Sequence, residues 1–185
     1  MKKIAIIAAM GAAFATAGVN AASNGTINFT GSVVSQTCNA TIGSATSGQA
    51  ATITLPSVQT SALATTASTT GQTSFNISVT GCAASNPTGA GTVKAFFERG
   101  AAVDSNGRLL NQSGSGAANV ALQLLDGSNN NSVINIGDAS QNTTSSYVAI
   151  ASSNATLPYA VRYYATGTAT AGAVTSNVTY SLIYQ

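Results

Sequence analysis

Both ends of this 185-residue chain show the same alternation of mostly apolar residues with polar ones. In the N-terminal stretch, one row consists of Ile27, Phe29, Gly31 and Val33, and the residues between them are polar. In the C-terminal stretch, the corresponding row consists of Val174, Ser176, Val178, Tyr180, Leu182 and Tyr184. Successive side chains of a strand point to opposite faces, so each end predicts a strand with one buried and one solvated face.

The N-terminal strand lies before Cys38, the first of the two cysteines. It therefore precedes the closed domain that the rest of the sequence predicts. A spare strand at one end and a strand that needs a partner at the other predict subunits that join by exchanging strands. The alternation leaves a second interpretation open, in which residues 27–33 are the first strand of a complete monomeric sandwich.

The first residues have the pattern of an export signal. Lys2 and Lys3 precede an apolar stretch at residues 4–18, and residues 19–21 form a small-residue cleavage site. We therefore predict a secretory signal peptide at residues 1–21 and a mature chain that starts at Ala22. The alternative is a membrane anchor, for which the apolar stretch is short.

The charge of the mature chain excludes one class of partner. Lys2 and Lys3 are two of six basic residues, so four basic residues remain beside four acidic ones, and the net charge is about zero. No basic patch remains to bind phosphates, which argues against nucleic acid as a partner. A low net charge favours association between copies.

Cys38 and Cys82 are the two cysteines of the chain. In an exported protein this pair favours a disulfide, while two free buried thiols remain the alternative. The chain has no histidine, which excludes Ser-His-Asp and Cys-His catalysis and leaves too few ligands for a metal site. We find no cofactor-binding motif, and the chain does not have the pattern of an enzyme, although a carboxylate pair for glycoside hydrolysis stays open.

Short alternating segments recur between the two ends. They lie at residues 74–79, 93–97, 120–124 and 159–164, and turn-forming sequences lie at residues 86–89, 104–107 and 126–129. A further strand is predicted near residues 51–55, within a Ser/Thr/Ala-rich stretch at 43–71 that otherwise has the pattern of a surface loop. Many short strands at this spacing predict an all-β antiparallel sandwich.

Several segments together resemble one known family. They are residues 25–34 followed by Cys38, the pair Gly81-Cys82, residues 119–127, residues 157–165, and the combination of Gly172 with the penultimate Tyr184. In this order they resemble the chaperone–usher pilins, in particular the major subunits of type 1 fimbriae, and the resemblance covers essentially the whole mature chain.

The resemblance implies an incomplete immunoglobulin-like sandwich that lacks its last strand and is completed by a donor strand from a neighbouring subunit. Its implied division is a signal peptide at 1–21, a donor-strand extension at 22–36 and a pilin domain at 37–185. The implied donor residues are Ile27, Phe29, Gly31 and Val33. The implied groove edge and chaperone-recognition residues are Gly172, Val174, Val178, Tyr180, Leu182 and Tyr184.

The resemblance further implies a structural subunit of an adhesive pilus on the cell surface, with no enzymatic activity and no cofactor or metal. Its partners would be related pilin subunits in a head-to-tail fibre, a periplasmic chaperone and an outer-membrane usher. Two alternatives remain at this stage: a minor adaptor pilin of the same fibre, and a self-contained secreted binding or adhesin domain.

Overall fold

The computed structural model describes residue 28, residues 38–82 and residues 91–185. These residues form antiparallel strands in two sheets, with little helix. The strands are β1 (Asn39–Ile42), β2 (Thr69–Thr80), β3 (Thr92–Phe97), β4 (Leu109–Leu110), β5 (Val120–Asp126), β6 (Ser132–Ile134), β7 (Val148–Ala149), β8 (Ala155–Ala165) and β9 (Tyr180–Tyr184). A short helix, α1, spans Gln141–Thr144, and 3₁₀ turns span Thr60–Leu63 and Gly127–Asn129. No helix in these ranges is long and apolar enough to cross a membrane.

The larger sheet has the strand order β1-β2-β8-β5-β4, and β6 also pairs with β5. Its centre is the long β2–β8 pair, in which Ile77 lies opposite Leu157. The register shifts between Thr70 and Thr73, where the ladder is interrupted. A bulge of this kind bends a strand and increases its twist.

The smaller sheet has the order β7-β3-β9, so the C-terminal strand β9 lies at its edge. Val93 pairs with Tyr184, and Phe97 pairs with Tyr180. On the other side of β3, β7 reaches only Thr92 and Val93. Further along that side, Ala95 N donates to the Tyr159 hydroxyl (3.1 Å) and Phe97 N donates to Gln141 Oε1 (3.0 Å). On this part of the β3 edge, side-chain oxygens therefore accept the hydrogen bonds that a neighbouring strand would otherwise accept.

The core lies between the two sheets. Its buried members include Ile77 and Val79 from β2, Phe97 from β3, and Leu122 and Leu124 from β5. Phe97 and Tyr159 meet edge to face, with 5.0 Å between ring centroids. Inward positions recur at every second residue, as the alternation predicted.

The strand predictions for residues 74–79, 93–97, 120–124 and 159–164 are all confirmed, since these segments lie within β2, β3, β5 and β8. The predicted strands at 51–55 and in the first half of the C-terminal segment form no ladder within the described residues. The prediction of a surface loop for the rest of 43–71 is wrong in part. Leu63 is only 3% exposed there, and β2 already begins at Thr69.

The predicted signal peptide, the donor-strand residues and the turn at 86–89 lie outside the described residues, apart from Asn28, which is exposed. The turn at 104–107 forms as predicted. The sequence at 126–129 forms a 3₁₀ turn, which Asp126 caps by accepting a hydrogen bond from Ser128 N (2.8 Å).

Candidate functional site: an apolar groove between two strand edges

One wall of a long groove is the segment that leads into β9. On one side it bonds to other segments of the same chain: Thr175 O accepts from Gln112 N, and Thr179 O accepts from Glu98 N, both at 2.8 Å. Alternate residues of a strand direct their backbone groups to opposite sides. The N–H and C=O groups of Ser176 and Val178 therefore face away from these partners. Within the described chain no backbone hydrogen bond reaches them.

The opposite wall is the extended segment at residues 51–55. Ile53 and Leu55 are half-buried and Thr52 and Thr54 are exposed, which is the alternation of a strand. None of the described residues forms a backbone hydrogen bond with this segment. The groove thus lies between two strand edges whose hydrogen-bonding groups are unpaired in this part of the chain. Such edges bind a further strand readily.

The floor of the groove is apolar. It has a volume of about 690 Å³ and runs between the two walls over side chains of the core. The floor side chains are those of Phe75, Ile77, Phe97, Leu109, Leu122, Leu124 and Val161. Apolar side chains inserted from above would complete the packing between the two sheets.

Ser176 is the polar member of the inward row on the first wall. Its hydroxyl oxygen is buried and has no hydrogen-bond partner among the described residues. Val178, Tyr180 and Leu182 continue the row along the groove. Burial raises the pKa of Tyr180 and of Tyr184, as expected for phenols held against an apolar core.

Gly172 marks the start of this wall. An added Cβ at Gly172 would meet the carbonyl carbon of Gly116 at 2.6 Å. The adjoining backbone is tied to the same turn, since Ala117 N donates to Ala173 O (2.9 Å). Asn111 Nδ2 also donates to Ala173 O (2.9 Å). Glycine at residue 172 is therefore required for the wall to pack on the turn at 116–117.

The predicted disulfide is present between Cys38 and Cys82. Cys38 directly precedes β1 and Cys82 follows β2, and the two strands are in register with Asn39 opposite Thr80. The bond holds the start of the described domain to β2. It also holds β1, which lines one end of the groove through Ala40 and Ile42.

Of the predicted groove-edge residues, Val178, Tyr180 and Leu182 line the groove, Val174 and Tyr184 pack on the same core, and Gly172 lies against the turn at 116–117. The sequence did not identify the floor residues as part of a groove, because alternation shows which side chains are buried but not whether a strand covers them. The unpartnered hydroxyl of Ser176 was also missed. The one signal for it was a serine in an otherwise apolar row.

Comparison with known proteins agrees with this geometry. A family model described as "Type-1 fimbrial protein, A" matches residues 55–185. The F17 fimbrial protein of Escherichia coli is 41% identical over 186 residues and is covered completely, as is this chain. The major fimbrial subunit SMF-1 of Stenotrophomonas maltophilia (strain K279a) is 42% identical over 169 residues, which cover 88% of this chain and 94% of that relative.

A solved structure shows the same fold at lower identity. The P pilus rod subunit PapA superposes with a TM-score of 0.58 at 16% identity, over 80% of this chain and 99% of that one. The fold and the groove define an immunoglobulin-like β-sandwich with one strand position open. The chain belongs to the type-1 fimbrial protein A family, and it is a structural subunit of extracellular fimbriae.

Proposed function

We propose that the groove receives the N-terminal strand of a neighbouring copy, so that copies join by donor-strand exchange. The observation that carries this proposal is the pair of unpaired strand edges on either side of an apolar floor. A strand placed between them would bond to both walls and would turn every second side chain into the core. The donor residues would be Ile27, Phe29, Gly31 and Val33.

The chemistry of the donor row suits the groove. Ile27, Phe29 and Val33 are apolar, and each would contribute about 1.5–3 kcal/mol on full burial. Gly31 suits a position where the backbone of the inserted strand approaches the floor closely. Donor strand and groove are different parts of the sequence, so each copy would give its strand to one neighbour and receive a strand from another. Such a contact is head-to-tail and grows into an open fibre.

A groove of this kind would require assembly partners. An open edge over an apolar floor is an aggregation hazard until it is covered. A periplasmic chaperone would cover it first by adding a strand along the row from Val174 to Tyr184, with Gly172 at its start. An outer-membrane usher would then exchange the chaperone for the next subunit. In this scheme residues 1–21 are the export signal, residues 22–36 the donor extension and residues 37–185 the pilin domain.

The proposal is tested by placing a charge on either face of the donor strand. Phe29→Asp would bury a carboxylate in the groove, which is strongly unfavourable, so we expect no fibres by electron microscopy. Asn28→Asp, which adds the same charge at the neighbouring position of the solvated face, is the matched control and should assemble normally.

A Phe29→Asp chain keeps its own groove and can still accept a donor. Co-expressed with the unaltered chain, it should be found at fibre ends and should shorten the fibres. Fibres of Phe29→Asp at the unaltered yield and length would contradict donor-strand exchange.

A further inference from the structure

A polar recess of about 350 Å³ lies on the outer face of the larger sheet and shares no residue with the groove. It is formed where Gln123 of β5 and Tyr164 of β8 face the loops that carry Arg108 and Asn135. The neighbours of Gln123 on its strand, Leu122 and Leu124, belong to the core. The recess is therefore a separate surface of the subunit.

The recess collects nearly all of the accessible positive charge of the mature chain. Arg99 and Arg108 line it, and Arg162 binds Gln123 at its back. The fourth basic residue outside the predicted signal peptide, Lys94, is 1% exposed and buried elsewhere. Asp104 and Asp138 are the acidic residues nearby, so the local charge is positive by one.

Two of the hydrogen-bond donors of the recess are held in place by their neighbours. Arg108 Nε donates to Asp104 Oδ2 (2.9 Å), and its guanidinium lies 4.3 Å from the centroid of the Tyr164 ring. The two Nη groups have no acceptor among the described residues. Gln123 Oε1 accepts two hydrogen bonds from Arg162 (2.9 and 2.7 Å), which leaves its Nε2 amide as a donor.

The Nη groups of Arg108 and the Nε2 amide of Gln123 have no acceptor among the described residues. Arg99 is exposed and forms no hydrogen bond with any described residue. Guanidinium groups bind carboxylates through paired hydrogen bonds, and the recess is at the lower end of the volumes that hold small ligands. The Tyr164 face is covered by Arg108, and the chain has no tryptophan, so the recess offers a neutral sugar no open aromatic plane.

We propose that this recess binds an acidic monosaccharide unit through its carboxylate. Arg99, the Nη groups of Arg108 and the Gln123 amide hold the carboxylate. Asp138 is exposed; its Oδ1 accepts from Ser140 N (2.8 Å), and its other carboxylate oxygen accepts from the sugar hydroxyls. The site provides a fibre subunit with contact to uronic-acid-containing polysaccharide, in addition to its contacts with other subunits.

The test is isothermal titration calorimetry on the mature full-length protein with sodium glucuronate, and with glucose as the uncharged probe. We expect glucuronate to bind at least about tenfold more tightly than glucose, with an affinity that falls as salt is added. Arg99→Gln should weaken glucuronate binding about tenfold. Arg108→Lys keeps the charge but removes the paired donors, and it should also weaken binding.

Thr156→Asp is the matched control, because it changes the net charge by the same amount as Arg99→Gln but lies on the exposed face of β8, outside both the recess and the groove. It should leave glucuronate binding unchanged. Equal affinity for glucuronate and glucose, no glucuronate binding, or an Arg99→Gln protein that binds as the unaltered one does would overturn the proposal. None of these outcomes depends on strand exchange.

Discussion

At the scale of single residues, Asp104 shows how one carboxylate holds a turn. Its Oδ1 accepts from Asn106 N and from Arg108 N (both 2.8 Å), and its Oδ2 accepts from Arg108 Nε. Partial burial alone would raise the pKa of Asp104, but these hydrogen bonds and the Arg108 charge outweigh it and lower the pKa. The turn was predictable from the sequence around Asp104. The ion pair was not, because it depends on how closely the folded turn brings Arg108 to Asp104.

Asp104→Asn should lower the free energy of unfolding by about 1–2 kcal/mol at pH 7, because a charge-assisted pair is lost. A carboxyl with a lowered folded pKa stabilises the fold above its unfolded pKa of about 3.9 and loses this contribution as pH falls through the folded value. The gap between variant and unaltered protein in urea unfolding should therefore be smaller at pH 3 than at pH 7. Glu98→Gln serves as the charge-matched control, and a gap that is the same at both pH values would contradict this account.

At the scale of elements, α1 and its loop cover the side of β3 that carries Lys94. Its Nζ donates to Gln141 O (2.9 Å) and Asn142 O (2.8 Å). It also lies 4.4 Å from the centroid of the Tyr147 ring. Burial lowers the pKa of Lys94, and the nearby charge of Asp126 opposes this shift. Alternation identified β3, but it could not show that a distant loop returns to cover it.

Lys94→Met should loosen this loop, because the carbonyls of Gln141 and Asn142 lose their donor while the apolar stem is kept. We expect the free energy of unfolding to fall by about 2 kcal/mol. Amide hydrogen exchange should rise first in residues 138–147 and remain slow in β5 and β8. Arg99→Met, which removes an exposed cation, is the control. Unchanged exchange in the loop of the Lys94→Met protein would show that Lys94 does not hold it.

At the scale of the whole molecule, the sequence predicted the sandwich, the disulfide and the row of residues from Val174 to Tyr184. It could not predict the groove as a volume, because the floor combines side chains from strands far apart in the chain. The recess around Arg108 was missed for the same reason. Its arginines are scattered in sequence and meet only when β5, β8 and the loops at 104–108 and 135–138 are assembled.

Donor-strand exchange requires that the domain be an incomplete sandwich, which another copy's strand completes. It is tested most directly by thermal unfolding of a chain that begins after Ser35, with and without a peptide of residues 22–35. Three buried apolar anchors should raise the melting temperature by about 10 °C or more, and the peptide should dissociate extremely slowly. A peptide with Phe29→Asp should give no such rise. A truncated chain that is already stable and does not respond to the unaltered peptide would contradict the account.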